Sequence, residues 1–201
     1  MKHWIVVLLL CSCSAVAVAQ AQKAPPKWDL YLGYSLTHMN AGSIASSFNE
    51  QGGGIQYQYH FGKHLGLVGD LSAGHIGNIH NQFIDQTTYS LMGGPRYNFF
   101  FLKGNQIVYV EGLAGETREA SHISVPGTIP IAVYVNRQWA VSAFVGGGTE
   151  FKLSPRIWFR PAEFGYYMTR FPAFAVPGLG TWNSNTTQNN YRFSLGFRFA
   201  I

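Results

Sequence analysis

The sequence predicts an all-β protein: an eight-stranded antiparallel up-and-down transmembrane β-barrel. Three observations lead there. Apolar and polar residues alternate with period two along eight segments. The connections between those segments are alternately short and long. Charged residues make up only 11% of the chain, and within the segments they keep to one face. Ordinary globular proteins carry about 25% charge, so this chain, with 15% aromatic residues and 23 Gly, departs from a soluble composition. Its apolar content excludes a disordered chain, and the absence of heptads excludes a coiled coil.

The chain opens on Lys2 and His3, then the apolar run Trp4–Leu10, then small residues up to Ala17-Val18-Ala19. A basic start, an apolar stretch and an A-x-A site read as an export signal over residues 1–19, cut after Ala19 or Ala21. The weaker alternative is lipid attachment at Cys13, which would leave a very short apolar region. On the first reading both cysteines, Cys11 and Cys13, leave with the leader, and a disulfide scaffold is excluded. Residues 20–27 then form a short tail and 28–201 the barrel. Of the 14 basic residues only Lys2 is lost, against 9 acidic ones retained, and no Lys/Arg cluster marks a nucleic-acid site. Beyond the leader no apolar run of 18 residues offers a transmembrane helix.

The segments follow in order. The first sets Trp28, Leu30, Leu32, Tyr34 and Leu36 against Asp29, Tyr31, Gly33 and Ser35. The second sets Ile55, Tyr57, Tyr59 and Phe61 against Gly54, Gln56, Gln58 and His60. The third sets Leu65, Leu67 and Leu71 against Val68, Asp70 and Ser72. The fourth sets Tyr89, Leu91, Tyr97 and Phe99 against Ser90, Met92, Arg96 and Asn98. The fifth sets Val108, Val110 and Ala114 against Tyr109, Glu111 and Gly115. The sixth sets Trp139, Val141, Ala143, Val145 and Phe151 against Ser142, Phe144, Gly148, Glu150 and Lys152. The eighth sets Tyr191, Phe193, Leu195, Phe197 and Phe199 against Arg192, Ser194, Gly196 and Arg198.

The seventh segment changes parity. Ile157 and Phe159 oppose Arg160, but after Pro161 the apolar set becomes Phe164, Tyr166 and Met168, opposing Glu163 and Gly165. One extra residue at Pro161, a β-bulge, accounts for the flip. Pro95 calls for a similar local accommodation. Short connections fall at Gly62–His64, Phe100–Gln106 and Leu153–Arg156; long ones fall at Thr37–Gly53, His75–Thr87, Glu116–Arg137 and Arg170–Gln188. Outer-membrane barrels have this asymmetry, with short periplasmic turns and long external loops. Both termini then lie in the periplasm.

Alternation alone does not say which face looks inward, and a soluble lipocalin-like barrel would put the apolar face inside. The charges decide. Asp29, Asp70, Glu111, Glu150 and Glu163, with Arg96, Lys152, Arg160, Arg192 and Arg198, all occupy the polar face, five of each sign. A balanced set belongs in a lumen, because a buried charge stripped of its partner costs about 3–5 kcal/mol. The other face then meets lipid, with Trp28, Trp139, Tyr89 and Tyr97 near segment ends as aromatic girdles. Trp158 points inward by parity.

Several stretches carry a resemblance: Leu65–Asp70, Gly93–Tyr97, Gly146–Leu153, Arg160-Pro161-Ala162-Glu163 and Asn189–Phe199. On these the chain resembles the small bacterial outer-membrane β-barrel family of the OmpA/OmpX type, over nearly all of its mature length. The resemblance implies a bacterial outer-membrane location, contact with outer-membrane lipid and lipopolysaccharide, and delivery by the barrel-assembly machinery. Such proteins often end on an aromatic residue that serves as an assembly signal; here Ala200 and Ile201 follow Phe199. The peptidoglycan-binding domain that OmpA-like proteins often carry is not expected, since the chain stops at the eighth segment.

The candidate functional residues are the lumen charges Asp70, Arg96, Glu111, Glu150, Arg160, Glu163, Arg192 and Arg198. Eight strands leave an interior just wide enough for side chains, so these read as a structural network rather than a gated ion path. His38, His75, His80 and His122 fall on the long-connection side, at spacings that match no metal-ligand motif. A Ser–His pair needs hydrogen-bond reach and an orienting acid, and Ser121-His122, being adjacent in sequence, does not supply that geometry. Gly52-Gly53-Gly54 and Gly146-Gly147-Gly148 precede no Gly-Lys-Ser/Thr, so they are sites of bending or close packing, not phosphate loops. Two long connections are apolar, at Ile129–Val135 and at Phe171, Phe174, Val176, Leu179 and Trp182, and such surface marks a contact site or packs on itself. No catalytic residue, metal or cofactor is expected. The function read here is non-catalytic, structural or surface-interacting, with a possible partner at the loops. The alternatives are a narrow ion-conducting pore and a lipid-modifying enzyme.

Overall fold

The computed structural model describes residues 27–40, 47–79, 84–123, 135–171, 174–176, 180–183 and 187–201. The leader read over residues 1–19, His80, Leu179 and most of the apolar stretch 129–135 lie outside them, as do the side chains of His122, Phe174, Val176 and Trp182.

Eight strands form a closed antiparallel barrel: β1 (Trp28–Met39), β2 (Phe48–His60), β3 (Leu65–Ile76), β4 (Ile84–Phe101), β5 (Gln106–Ile123), β6 (Val135–Lys152), β7 (Ile157–Arg170) and β10 (Thr187–Ala200). Each pairs with its sequence neighbour in the wall, and β1 closes on β10 from Asp29↔Ala200 to His38↔Tyr191. Two short strands, β8 (Phe174–Val176) and β9 (Gly180–Asn183), pair with each other between β7 and β10. Closure leaves the wall without a free edge, so its backbone groups pair within the barrel, which hydrocarbon demands because it offers them no partners.

Side chains alternate across the wall as a strand requires. Leu91 and Val145 are each 65% exposed on the outside, while the next residues along, Met92 and Phe144, are 2% and 0% exposed inside. Every segment keeps the face assigned to it, and the apolar face is the outer one. Trp28, Tyr89, Tyr97 and Trp139 are exposed on the outside; Trp158 is buried inside.

Three details differ from the sequence reading. The long connections are shorter than expected, because β4, β5 and β6 each run to 18 residues. Asp85, Glu116, Arg118, Arg137 and Arg170 therefore stand on strands rather than in loops. Strand pairing does not end where lipid ends, since the ladder is satisfied either way; only the outward residues turn polar. Lys152 is exposed at the short-turn mouth rather than enclosed, its Nζ 5.9 Å from the Trp158 ring. Pro95 is accommodated without a bulge: the β4–β5 register is the same at Gly93↔Ala114 and at Arg96↔Glu111, but Gly94 and Pro95 between them take no partner on β5, the local break that a residue without an N–H imposes.

The bulge at Pro161 is present. Along β10 the partners step from Ser194↔Glu163 to Gly196↔Arg160, and along β6 from Thr149↔Ala162 to Phe151↔Phe159. On both sides β7 advances one residue more than its neighbour. That surplus returns both Arg160 and Glu163 to the lumen, where each is buried.

Two apolar clusters complete the interior. Val68, Met92, Leu113, Phe144 and Tyr167 pack together across β3 to β7. Met39, Phe48 and Ile79, with Ile76 against them, pack at the long-connection end of β1 to β3. The Phe144 ring fits because its neighbours lack side chains: a Cβ on Gly165 would stand 2.4 Å from Phe144 Cζ, and one on Gly146 would stand 2.5 Å from it. Gly165→Leu is therefore expected to block folding, leaving a protein that no longer shifts between boiled and unboiled lanes of an SDS gel. Shrinking the ring with Phe144→Ala in the same chain restores the shift.

Candidate functional site

Buried charge concentrates in the lumen, and the strands fix its pattern. The inward parity of each strand delivers one or more polar side chains: Asp29 and Tyr31 from β1, Gln56, Gln58 and His60 from β2, Asp70 from β3, and Arg96 from β4. Tyr109 and Glu111 come from β5, Glu150 from β6, Arg160 and Glu163 from β7, and Arg192, Ser194 and Arg198 from β10. All eight wall strands contribute to one connected network.

Each guanidinium is held by carboxylates and by an aromatic face. Arg96 donates from Nε to Glu111 Oε2 at 2.7 Å, and its Nη groups reach Gln58 Oε1 and Gln56 Oε1 at 3.1 and 2.6 Å. Arg160 donates to Glu150 Oε1 from Nη2 at 2.7 Å and to Glu163 Oε2 from Nη1 at 2.6 Å. Its guanidinium lies 3.7 Å from the centre of the Tyr31 ring, and Arg96 lies 4.1 Å from that of Tyr109. Arg192 grips Asp70 with two hydrogen bonds of 3.1 and 3.2 Å, over the Phe144 ring at 4.2 Å. Arg198 donates to Asp29 Oδ2 at 2.5 Å, stands 2.6 Å from Glu150 through Nε, and stacks on Trp158 at 4.5 Å. His60 Nε2 meets the same Asp29 oxygen at 2.5 Å. Tyr109 and Ser194 hydroxyls donate to Glu163 at 2.5 and 3.0 Å. Planar guanidinium suits this task because it forks onto carboxylates and stacks on rings at once.

The structure thus brings together all eight residues singled out from sequence: Asp70, Arg96, Glu111, Glu150, Arg160, Glu163, Arg192 and Arg198. Sequence reasoning placed Tyr31, Gln56, Gln58, His60 and Tyr109 on the right face but not in the network, since only formal charge was followed. It missed Glu50 altogether. That carboxylate is buried in the lumen and accepts from Thr88 Oγ1 at 2.8 Å and Gln86 Nε2 at 3.1 Å. The even-numbered parity of β2 runs back to it through Gly54 and Gly52, so the signal existed, obscured by three glycines.

What remains of the lumen is small. A cavity of about 20 Å³ lies among Ser35, Glu50, Ser72, Thr88, Tyr167 and Arg192, and another of about 10 Å³ among Tyr31, Gln56, Asp70 and Ser194. Each is the size of roughly one water. Among the described residues no group of three or more His, Cys, Asp or Glu is placed to hold a metal ion. Ser121 Oγ donates to Glu119, His38 meets Asn49 and His75 meets Thr87. None of these is a serine held by a histidine.

Comparison with known proteins agrees with this architecture. Neisserial surface protein A superposes with a TM-score of 0.59 at 13% identity, over 90% of this chain and 100% of that one. Ail, the attachment invasion locus protein of Yersinia pestis, gives 0.56 at 17% identity, over 87% and 99%. At these identities the likeness is one of fold. No curated protein matches the chain in sequence. The family model for the outer membrane protein beta-barrel domain matches residues 5–199, nearly the whole chain. The chain therefore belongs to the outer membrane protein β-barrel family, and its place is the bacterial outer membrane.

Proposed function

We propose that this protein is non-catalytic and acts as a structural or surface-interacting barrel, with its long-connection end outside the cell and its short turns in the periplasm. The filled lumen carries the reading. Four arginines, six carboxylates and the rings stacked on the arginines occupy the interior, and the two cavities among them hold about a water each. Such an interior supports a scaffold over a conduit. The long strands β4, β5 and β6 lift polar residues such as Arg137 and Asp85 beyond the apolar band, where a partner meets them. Outer-membrane lipid and lipopolysaccharide surround the barrel, and the barrel-assembly machinery inserts it.

Planar-bilayer recording tests the reading: repeated insertions are expected to give no unitary current steps, and a stable open channel would overturn it. Lipopolysaccharide incubated with the folded barrel should keep its mass. A cysteine scan checks which end faces out. A membrane-impermeant maleimide should label Arg137→Cys on intact cells, and label Arg156→Cys only after lysis.

A further inference from the structure

The short-turn end of the barrel has a composition of its own. Among the described residues every lysine lies there: Lys27 before β1, Lys63 between β2 and β3, Lys103 between β4 and β5, and Lys152 at the end of β6. Arg156 adds a fifth cation in the turn before β7. The two carboxylates at this level, Asp29 and Glu150, are turned inward and are only 1% and 2% exposed. The outer surface of this rim is thus basic at each of its three turns and at the start of β1, with no exposed carboxylate side chain among the described residues. The opposite end differs, because Arg118, Arg137 and Arg170 there are interspersed with Asp85 and Glu116.

A second feature accompanies the charge. Each turn sets a large apolar residue beside its lysine: Phe61 with Lys63, Leu102 with Lys103, Leu153 with Lys152. Those three apolar side chains are 63%, 66% and 61% exposed. In water such a tip is unfavourable, whereas at a bilayer surface it is well placed. The apolar side chain dips toward the acyl boundary, and the ammonium, on its flexible stem, rises to the phosphates. Lys63 Nζ also lies 5.9 Å from the Phe100 ring, as an amphipathic side chain at an interface would.

We propose that this rim is a binding ring for anionic phospholipid headgroups of the leaflet at the short turns, with each turn offering at least one cation and one apolar contact. Calling that leaflet periplasmic rests on the orientation proposed above, but the ring itself does not. A basic residue near an anionic lipid surface contributes about 1 kcal/mol, about fivefold in affinity. The barrel reconstituted in phosphatidylcholine vesicles should therefore retain spin-labelled phosphatidylglycerol over spin-labelled phosphatidylcholine by about fivefold. High salt should abolish the preference.

Substituting Lys27, Lys63, Lys103, Lys152 and Arg156 together by Gln should bring the ratio to about one, with folding verified by the gel shift. Arg118→Gln with Arg137→Gln, at the other end, should leave it unchanged. Equal retention of the two lipids by the wild type would overturn the proposal and leave an acidic soluble partner as the reading of the rim. So would a preference that survives the loss of all five rim cations, or one abolished by the two arginine changes. The vesicles expose both ends to the same lipids, so this result is independent of the cysteine labelling that tests orientation.

Discussion

Arg160→Met is expected to cost the barrel about 3–5 kcal/mol, the penalty for leaving buried charge without its partner. Arg160 is wholly buried, bound to Glu150 at 2.7 Å and to Glu163 at 2.6 Å. Removing it takes one cation from each of two carboxylates in a lumen whose small cavities leave little water to replace it. Glu150 keeps Arg198, and Glu163 keeps Arg192 at 3.6 Å together with Tyr109 and Ser194, so the loss falls short of two uncompensated charges. Urea unfolding in lipid vesicles, followed by tryptophan fluorescence, measures the change. The double change Arg160→Met with Glu163→Gln should cost less than the two single changes added together. Groups in one network couple by about 0.5–3 kcal/mol. A single-variant loss below about 1 kcal/mol would mean that the network fills space without bearing on stability.

Val145→Arg tests the opposite face. Val145 is 65% exposed midway along β6, between the outward Trp139 and Phe151. An arginine there would meet acyl chains, at a cost of about 2–4 kcal/mol near the bilayer midplane. Val145→Leu, by the same unfolding assay, should change stability by less than about 0.5 kcal/mol. At Arg137, exposed beyond the Trp139 girdle, exchange of the charge for Gln should be equally mild. If Arg at position 145 were tolerated as well as Leu, the outward face would not be in lipid.

The same two faces show how far the sequence alone reached. Period-two alternation located every wall strand, and the confinement of charge to one side of it identified the inside. The parity change at Pro161 marks the bulge in the sequence itself. The ends of the strands were harder. Once β5 rises past Ala114, its outward residues become Glu116 and Arg118, and the contrast between faces that made the strand visible disappears. The wiring of the lumen was out of reach for a different reason. That Arg192 takes Asp70, with two whole strands between them around the wall, depends on how strand tilt staggers the side chains across the lumen. Local sequence does not record that stagger. Arg–ring stacking followed from the same geometry and was equally hidden.

The surplus residue in β7 has a consequence for how this gene can change. Arg160 and Glu163 are an odd number of positions apart, and an unbroken strand would send one of them into the acyl chains. Losing a single codon at Pro161 would therefore be a reversal, turning half of β7 inside out while leaving its amino-acid content almost untouched. For this strand the number of residues is under as tight a constraint as their chemistry, and tolerance to point substitution says nothing of tolerance to a one-residue deletion.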